Sequence, residues 1–260
     1  MKNILVVITT AFVPTGGLTT VMMNYYRMMN KEEVKIDFAS TNNPPQVLLD
    51  EIHASGSEYY QLSDRKNVLA YFFALKKLCR GYDAIHVHAN SAMAVMELQA
   101  AIWAGIKIRI IHNHSSRSQH NLLNQLFLSL YRRSFTQAVA CSDEAGEWLY
   151  GKNGFITLRN AINAKRFKFD VVKRLIMRHN FGFGDDEYVI GHIGKFMEAK
   201  NHSFLIEVFA KYHALQPKSK LLLIGDGELR HLVEAAIDKN KVNDCVILAG
   251  LRSDISDVLQ

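Results

Sequence analysis

Residues 84–115 read AIHVHANSAMAVMELQAAIWAGIKIRIIHNHS. Ala84–His88 reads as a strand, Ala92–Ala104 as a helix and Ile106–Ile111 as the next strand. A strand, a crossover helix and a second strand form one unit of a parallel sheet. Each strand runs into an HxH motif at its carboxyl end, His86-Val87-His88 and His112-Asn113-His114. The two-residue period of a strand puts both histidines of a motif on one side, provided the strand extends that far.

The same alternation continues in both directions. Upstream, Ile4–Ile8 predicts a buried strand, Leu18–Met29 a helix, Val34–Ser40 and Glu58–Leu62 strands, and Asn67–Arg80 an apolar helix ending in Lys76, Lys77 and Arg80, where the helix dipole favours cations. Downstream, Leu122–Phe135 predicts a helix and Ala138–Cys141 a strand, and Ser142 caps a helix with Asp143 and Glu144 in its first turn. Ile156–Leu158 closes a doubly wound parallel sheet over residues 1–162. Residues 163–182 differ: Lys165–Arg178 holds six basic residues and one acid and reads as an interdomain connection plus a helix. From 183 to 260 the alternation restarts, with strands at Tyr188–Ile193, Leu221–Ile224 and Val246–Leu248, helices at His202–Leu215 and Leu229–Lys239, and a helix beginning near Asp254. The expected fold is α/β, two Rossmann-like domains, the second incomplete because a three-stranded half-sheet leaves an edge and a flank uncovered.

Composition narrows the function. With 48% apolar and 22% charged residues in 260, disorder, collagen and coiled coil are excluded. Three scattered cysteines make neither a disulfide framework nor a CxxC knuckle, which points to a reducing cytoplasm. The N-terminal apolar run leads into Pro14-Thr15-Gly16-Gly17 and not into a small-x-small cleavage site, and no run reaches the ~18 apolar residues of a membrane span. The net charge of +6 admits an anionic membrane surface or nucleic acid. No helix-turn-helix, RNP or aromatic-basic interleaving supports nucleic acid.

Four constellations carry chemistry. Gly16-Gly17 stands between a strand and a helix, where glycine lets backbone N–H groups approach a phosphate; a plain turn is the alternative. It is not GxGxxG, and no acid ends the second strand as NAD binding requires. The four histidines suit a neutral imidazole facing a ligand, with two or three of the four bonded to loop carbonyls; a four-His metal site is set against the lack of any Asp or Glu adjoining either motif. Gly194-Lys195 with Lys200 is not a P-loop, yet two lysines at a strand-to-helix turn suit a diphosphate, or are solvated surface lysines. Gly225-Asp226-Gly227-Glu228 permits a tight turn and close ligand approach. The basic-ended helices Asn67–Arg80 and Leu122–Phe135 read as packed on the sheet with solvated ends, or as part of a membrane-facing surface.

In this order, with Arg159-Asn160-Ala161-Ile162-Asn163 and Phe167, the motifs resemble those of retaining GT-B glycosyltransferases of the family 4 type, in the branch that builds capsular polysaccharides and exopolysaccharides. The resemblance spans the whole chain and implies a metal-independent hexosyltransferase with no cofactor. Its donor would be a nucleotide-diphosphate sugar, UDP-linked, and its acceptor a saccharide or lipid-linked saccharide. It implies Gly16 and Gly17 beside the donor diphosphate in the interdomain cleft, His114 beside the transferred sugar, Lys195 and Lys200 on the diphosphate, Gly225 beside the donor, and Leu251 and Arg252 after Gly250 at the base. It also implies a cytoplasmic enzyme, peripheral at the inner face of the membrane. Three features depart from the family: Lys195 where Arg is usual, Asn160-Ala161-Ile162-Asn163 where Asn-Gly-Ile-Asp is usual, and no E-x7-E, whose first carboxylate contacts the donor sugar. The expectation is therefore a C-terminally truncated chain that transfers sugar poorly by itself. A GT-B sugar-nucleotide epimerase, a non-catalytic remnant, a four-His metallohydrolase and a basic membrane or nucleic-acid binder are the competing readings.

Overall fold

The computed structural model describes residues 1–14, 16–117 and 121–260. It divides into two compact units, Met1–Ile162 and Asn163–Gln260.

The first unit is built on a seven-stranded sheet: β1 (Lys2–Ile8), β2 (Val34–Ser40), β3 (Tyr59–Gln61), β4 (Ala84–Ala89), β5 (Ile108–Asn113), β6 (Gln137–Ala140) and β7 (Ile156–Thr157). Its order is β3-β2-β1-β4-β5-β6-β7 and every pairing is parallel. The order reverses direction between β1 and β4, the switch point at which doubly wound sheets open a crevice. Helices α1 (Gly17–Met28), α2 (Gln46–Ala54), α3 (Val68–Cys79), α4 (Val95–Trp103), α5 (Asn121–Ser134) and α6 (Asp143–Tyr150) cross between strands. One face buries Leu5, Val7, Ile85, Val87, Ile111, Tyr71 and Leu98. The other buries Val6, Ile8, Phe38, Met22 and Tyr26 under α1. Burial on both faces is why these strands read as continuous apolar runs.

The α1 packing is set by 3–4 spacing, which buries Thr19, Met22, Met23 and Tyr26. α2 was not apparent in the sequence: nine residues between Pro45 and Ser55 bury only Leu48 and Ile52, too weak a stripe to read. α5 packs Tyr131, Phe127 and Leu128 against the core, as the sequence reading has it, and leaves Leu122, Leu123, Leu126 and Leu130 exposed.

α4 carries a fully buried carboxylate, Glu97. It accepts from Tyr71 Oη at 2.9 Å and from Arg65 Nη2 at 3.2 Å, closing α3 against α4.

The second unit contains β8 (Tyr188–Ile193), β9 (Ser219–Ile224) and β10 (Val246–Leu248), all parallel in order β10-β9-β8. It also contains α7 (Val171–Phe181), α8 (His202–Leu215), α9 (Arg230–Asn240) and α10 (Ile255–Val258). Part of the basic stretch is paired here. Asp170 caps α7, Lys173 pairs with Asp257 at 2.6 Å, and buried Arg178 donates to the Gly184 and Glu187 carbonyls. Among the described residues no helix is long and apolar enough to cross a membrane.

Candidate functional site

Two groups of predicted residues lie at carboxyl ends of strands, one in each unit. In the first unit the segment after β1 is held by β2 and the residues that follow it. Phe12 is fully buried against Phe38 and Tyr59, with ring centroids 5.9 and 5.7 Å away. Its N–H donates to Asn42 Oδ1 at 2.7 Å, and Asn42 Nδ2 donates back to the Phe12 carbonyl at 3.2 Å. Ser40 Oγ donates to the Thr10 carbonyl at 3.1 Å. Asn42 therefore serves as a backbone-mimicking clamp, a role that nothing in its sequence neighbourhood marked.

The clamp presents Gly16 and Gly17 at the start of α1. Gly16 is extended, at φ −76° and ψ 127°, and supplies no side chain to cap the helix. A Cβ on Gly16 would meet the Val13 carbonyl oxygen at 3.1 Å and Thr19 Oγ1 at 3.3 Å, whereas one on Gly17 would meet nothing within 4 Å. Gly16 thus sits in close packing, and Gly17 leaves open space beside the first N–H groups of the helix. Thr15 of this loop lies outside the described residues.

The four imidazoles lie together. β4 contains both His86 and His88, while β5 ends at Asn113, so His112 is in the strand and His114 just beyond it. His88 pairs with His112 in the β4–β5 register, and ring centroids are 4.2 Å apart for His112–His114, 4.3 Å for His86–His88 and 5.0 Å for His88–His112. His88 Nδ1 and His114 Nε2 share a hydrogen bond of 2.9 Å, the single one found for these four rings among the described residues. The expected bonds to loop carbonyls are not formed. The rings lie on the α1 face of the sheet, where strand carbonyls are already spent on the ladder, so they stack on one another.

Burial keeps these rings neutral. It lowers His86 and His114 to about 4, with repulsion from His114 adding to the shift at His86. Burial, then repulsion from His114 and His86, takes His112 down to about 2. His88 is driven well below its ordinary value by burial and then by its three neighbours. Donor atoms of His86, His88 and His112 all lie within 4.8 Å of one another, the group of the described residues best arranged to hold a metal.

In the second unit the ends of β8, β9 and β10 are tied by backbone contacts. Gly194 N–H donates to the Ile224 carbonyl at 2.9 Å, Phe196 N–H to the Asp226 carbonyl at 3.0 Å, and Gly225 N–H to the Gly250 carbonyl at 2.9 Å. Gly225 has φ +143°, and a Cβ there would stand 2.1 Å from the Gly194 carbonyl oxygen; one on Gly227 would stand 2.4 Å from the Phe196 carbonyl oxygen. No side chain fits at either position. The Lys200 stem runs over Gly194: a Cβ on Gly194 would be 3.4 Å from its Cγ and Cδ. Lys195 and Lys200 are both exposed, and neither forms an ion pair among the described residues. His192 and His202 are lowered, chiefly by burial, with Lys200 contributing repulsion to each.

Arg252 is oriented differently from a residue reaching toward a ligand. Its guanidinium forks onto Asp254 at 2.8 and 2.5 Å and lies over the Phe181 ring at 5.2 Å, while Leu251 is exposed. The structure thus gathers Gly194, Lys200, Gly225 and Gly250 at one end of the second sheet, with the Arg252 side chain turned onto its own loop.

Parallel sheets covered by helices in each of two units are the GT-B fold. The chain belongs to Glycosyltransferase Family 4, whose model matches residues 15–172, and that for Glycosyl transferases group 1 matches residues 173–260. It is 27% identical over 262 residues to "Putative glycosyltransferase EpsF" of Bacillus subtilis (strain 168), covering 94% of this chain and 68% of that protein. Among solved structures it is similar to Anabaena Alr3699/HepE in complex with UDP and glucose, with a TM-score of 0.82, 17% identity, and coverage of 99% of this chain and 72% of that one. The UDP-GlcNAc 2-epimerase from Neisseria meningitidis bound to UDP-GlcNAc shares the fold more loosely, with a TM-score of 0.61, 14% identity, and coverage of 98% of this chain and 74% of that one.

Proposed function

We propose that this glycosyltransferase moves a hexose from a UDP-sugar to a lipid-linked saccharide precursor of an exopolysaccharide, with retention of configuration. The observation that carries the reading is the second-unit strand-end cluster. Gly194 and Gly225 bring two backbones to a separation that no side chain permits, beside two exposed lysines with no acidic partner among the described residues. Cations fixed beside a leaving diphosphate act where charge develops as the glycosidic bond breaks. Lys195 and Lys200 take that role, and no metal is needed for the transfer step.

His114 faces the sugar as a neutral ring. Its native value of about 4 leaves it uncharged at neutral pH. It therefore holds a sugar hydroxyl by hydrogen bonding without competing for the diphosphate. Its Nε2 is occupied by His88, which leaves Nδ1 for the ligand. Gly16 and Gly17 open the N-terminus of α1 to the donor diphosphate, and Leu251 covers the base by apolar contact. Exposed Leu122, Leu126 and Leu130 on α5, with Arg132 and Arg133 in its last turn, suit an anionic membrane surface at which a lipid-linked acceptor is met.

The test is donor affinity by calorimetry with UDP-glucose. A hydrogen bond to a charged group contributes about 1.5–3 kcal/mol, so Lys200→Ala should weaken binding by roughly 10- to 150-fold. Unchanged affinity in Lys200→Ala and Lys195→Ala sinks the assignment. Conversion of the UDP-sugar to its epimer without an acceptor would replace the transferase reading.

A further inference from the structure

We infer that His86, His88 and His112, with the buried Met22 thioether, form a site for a soft, singly charged metal ion, Cu(I). The three imidazoles are adjacent across β4 and β5, with donor atoms within 4.8 Å of one another. His86 Nε2 and both ring nitrogens of His112 are buried with no hydrogen-bond partner among the described residues. A buried polar atom without a partner is costly, of the order of 1–3 kcal/mol, and several in one place ask for a shared ligand. The cavity they face, about 100 Å³, is lined also by Met22 and Met29. That space admits an ion beside the rings.

The chemistry of the lining selects the ion. All the ligands are neutral, and no carboxylate lines the cavity among the described residues. The cost of burying an ion rises with the square of its charge, so a divalent ion would sit uncompensated in an apolar chamber. Thioethers select Cu(I), and imidazole accepts it. Metal–imidazole bonds of about 2.0–2.1 Å put trigonal donors about 3.5 Å apart, a contraction that side-chain torsions can supply. With His88 bound through Nε2, its Nδ1–H donates to His114 Nε2, and the ion fixes the tautomer of both rings.

The experiment is anaerobic Cu(I) titration of the full chain against bicinchoninate, in a Cys141→Ala, Cys245→Ala background that removes the two accessible thiols. One Cu(I) per chain is expected, with nitrogen and sulfur neighbours in the X-ray absorption spectrum. His112→Leu and His86→Leu should each weaken binding at least 100-fold, and the near-isosteric Met22→Leu at least 10-fold. If the histidine variants fail to fold, Met22→Leu carries the test. No bound Cu(I), Cu(I) held equally by Met22→Leu, or Zn(II) bound in preference to Cu(I) would each overturn the inference.

Discussion

The metal-free histidine cluster should make the first unit acid-labile, by an amount the structure defines. His88 and His112 are buried and neutral in the folded chain, the first well below its ordinary value and the second at about 2. Unfolded, each titrates near 6.5. Because the native values are depressed, the unfolded chain binds more protons below pH 6.5, and stability falls as pH falls. For His112 the loss between pH 7 and pH 5 is about 1.9 kcal/mol, and His86, His88 and His114, depressed in the same direction, add to it. Replacing His112 with Leu deletes one titrating group and two orphaned nitrogens while filling the space. The pH 7-to-5 loss should shrink by about 1.9 kcal/mol. The assay is urea unfolding by tryptophan fluorescence, with EDTA and bathocuproine present. Trp103 and Trp148 are the only two tryptophans, and both belong to the first unit. The same pH-dependent loss in His112→Leu as in the parent chain would refute the reasoning. So would a parent chain equally stable at pH 5 and pH 7.

Two further outcomes follow from the packing. Glu97→Gln leaves the partly exposed Arg65 without its carboxylate and should cost about 1–3 kcal/mol in the same fluorescence assay; no measurable change would show that the ion pair adds nothing to stability. Gly225→Ala drives a Cβ into the Gly194 carbonyl oxygen, 2.1 Å away, and should weaken UDP-glucose binding by separating β8 from β9 at the strand ends; full affinity measured by calorimetry would mean that this approach plays no part in the donor site.

Much of this protein was legible in its sequence. Strands buried on both faces have to be apolar along their length, and crossover helices have to be amphipathic, so the βα alternation and the strand-end positions of His88, Lys195 and Gly225 showed through. Ser142 announced its cap because capping needs an oxygen at one position. The resemblance to family 4 glycosyltransferases rested on the same local signals in order. Features that depend on distant residues did not show. Asn42 clamps Phe12 across 30 residues, and Glu97 closes on Arg65 across 32. The two HxH motifs were visible as pairs, but the β4–β5 register and the α1 cover decided that the four rings meet away from loop carbonyls. Periodicity reports which face of an element is apolar; only tertiary contact decides what that face meets, and therefore which polar groups find partners and which are left to bind something else.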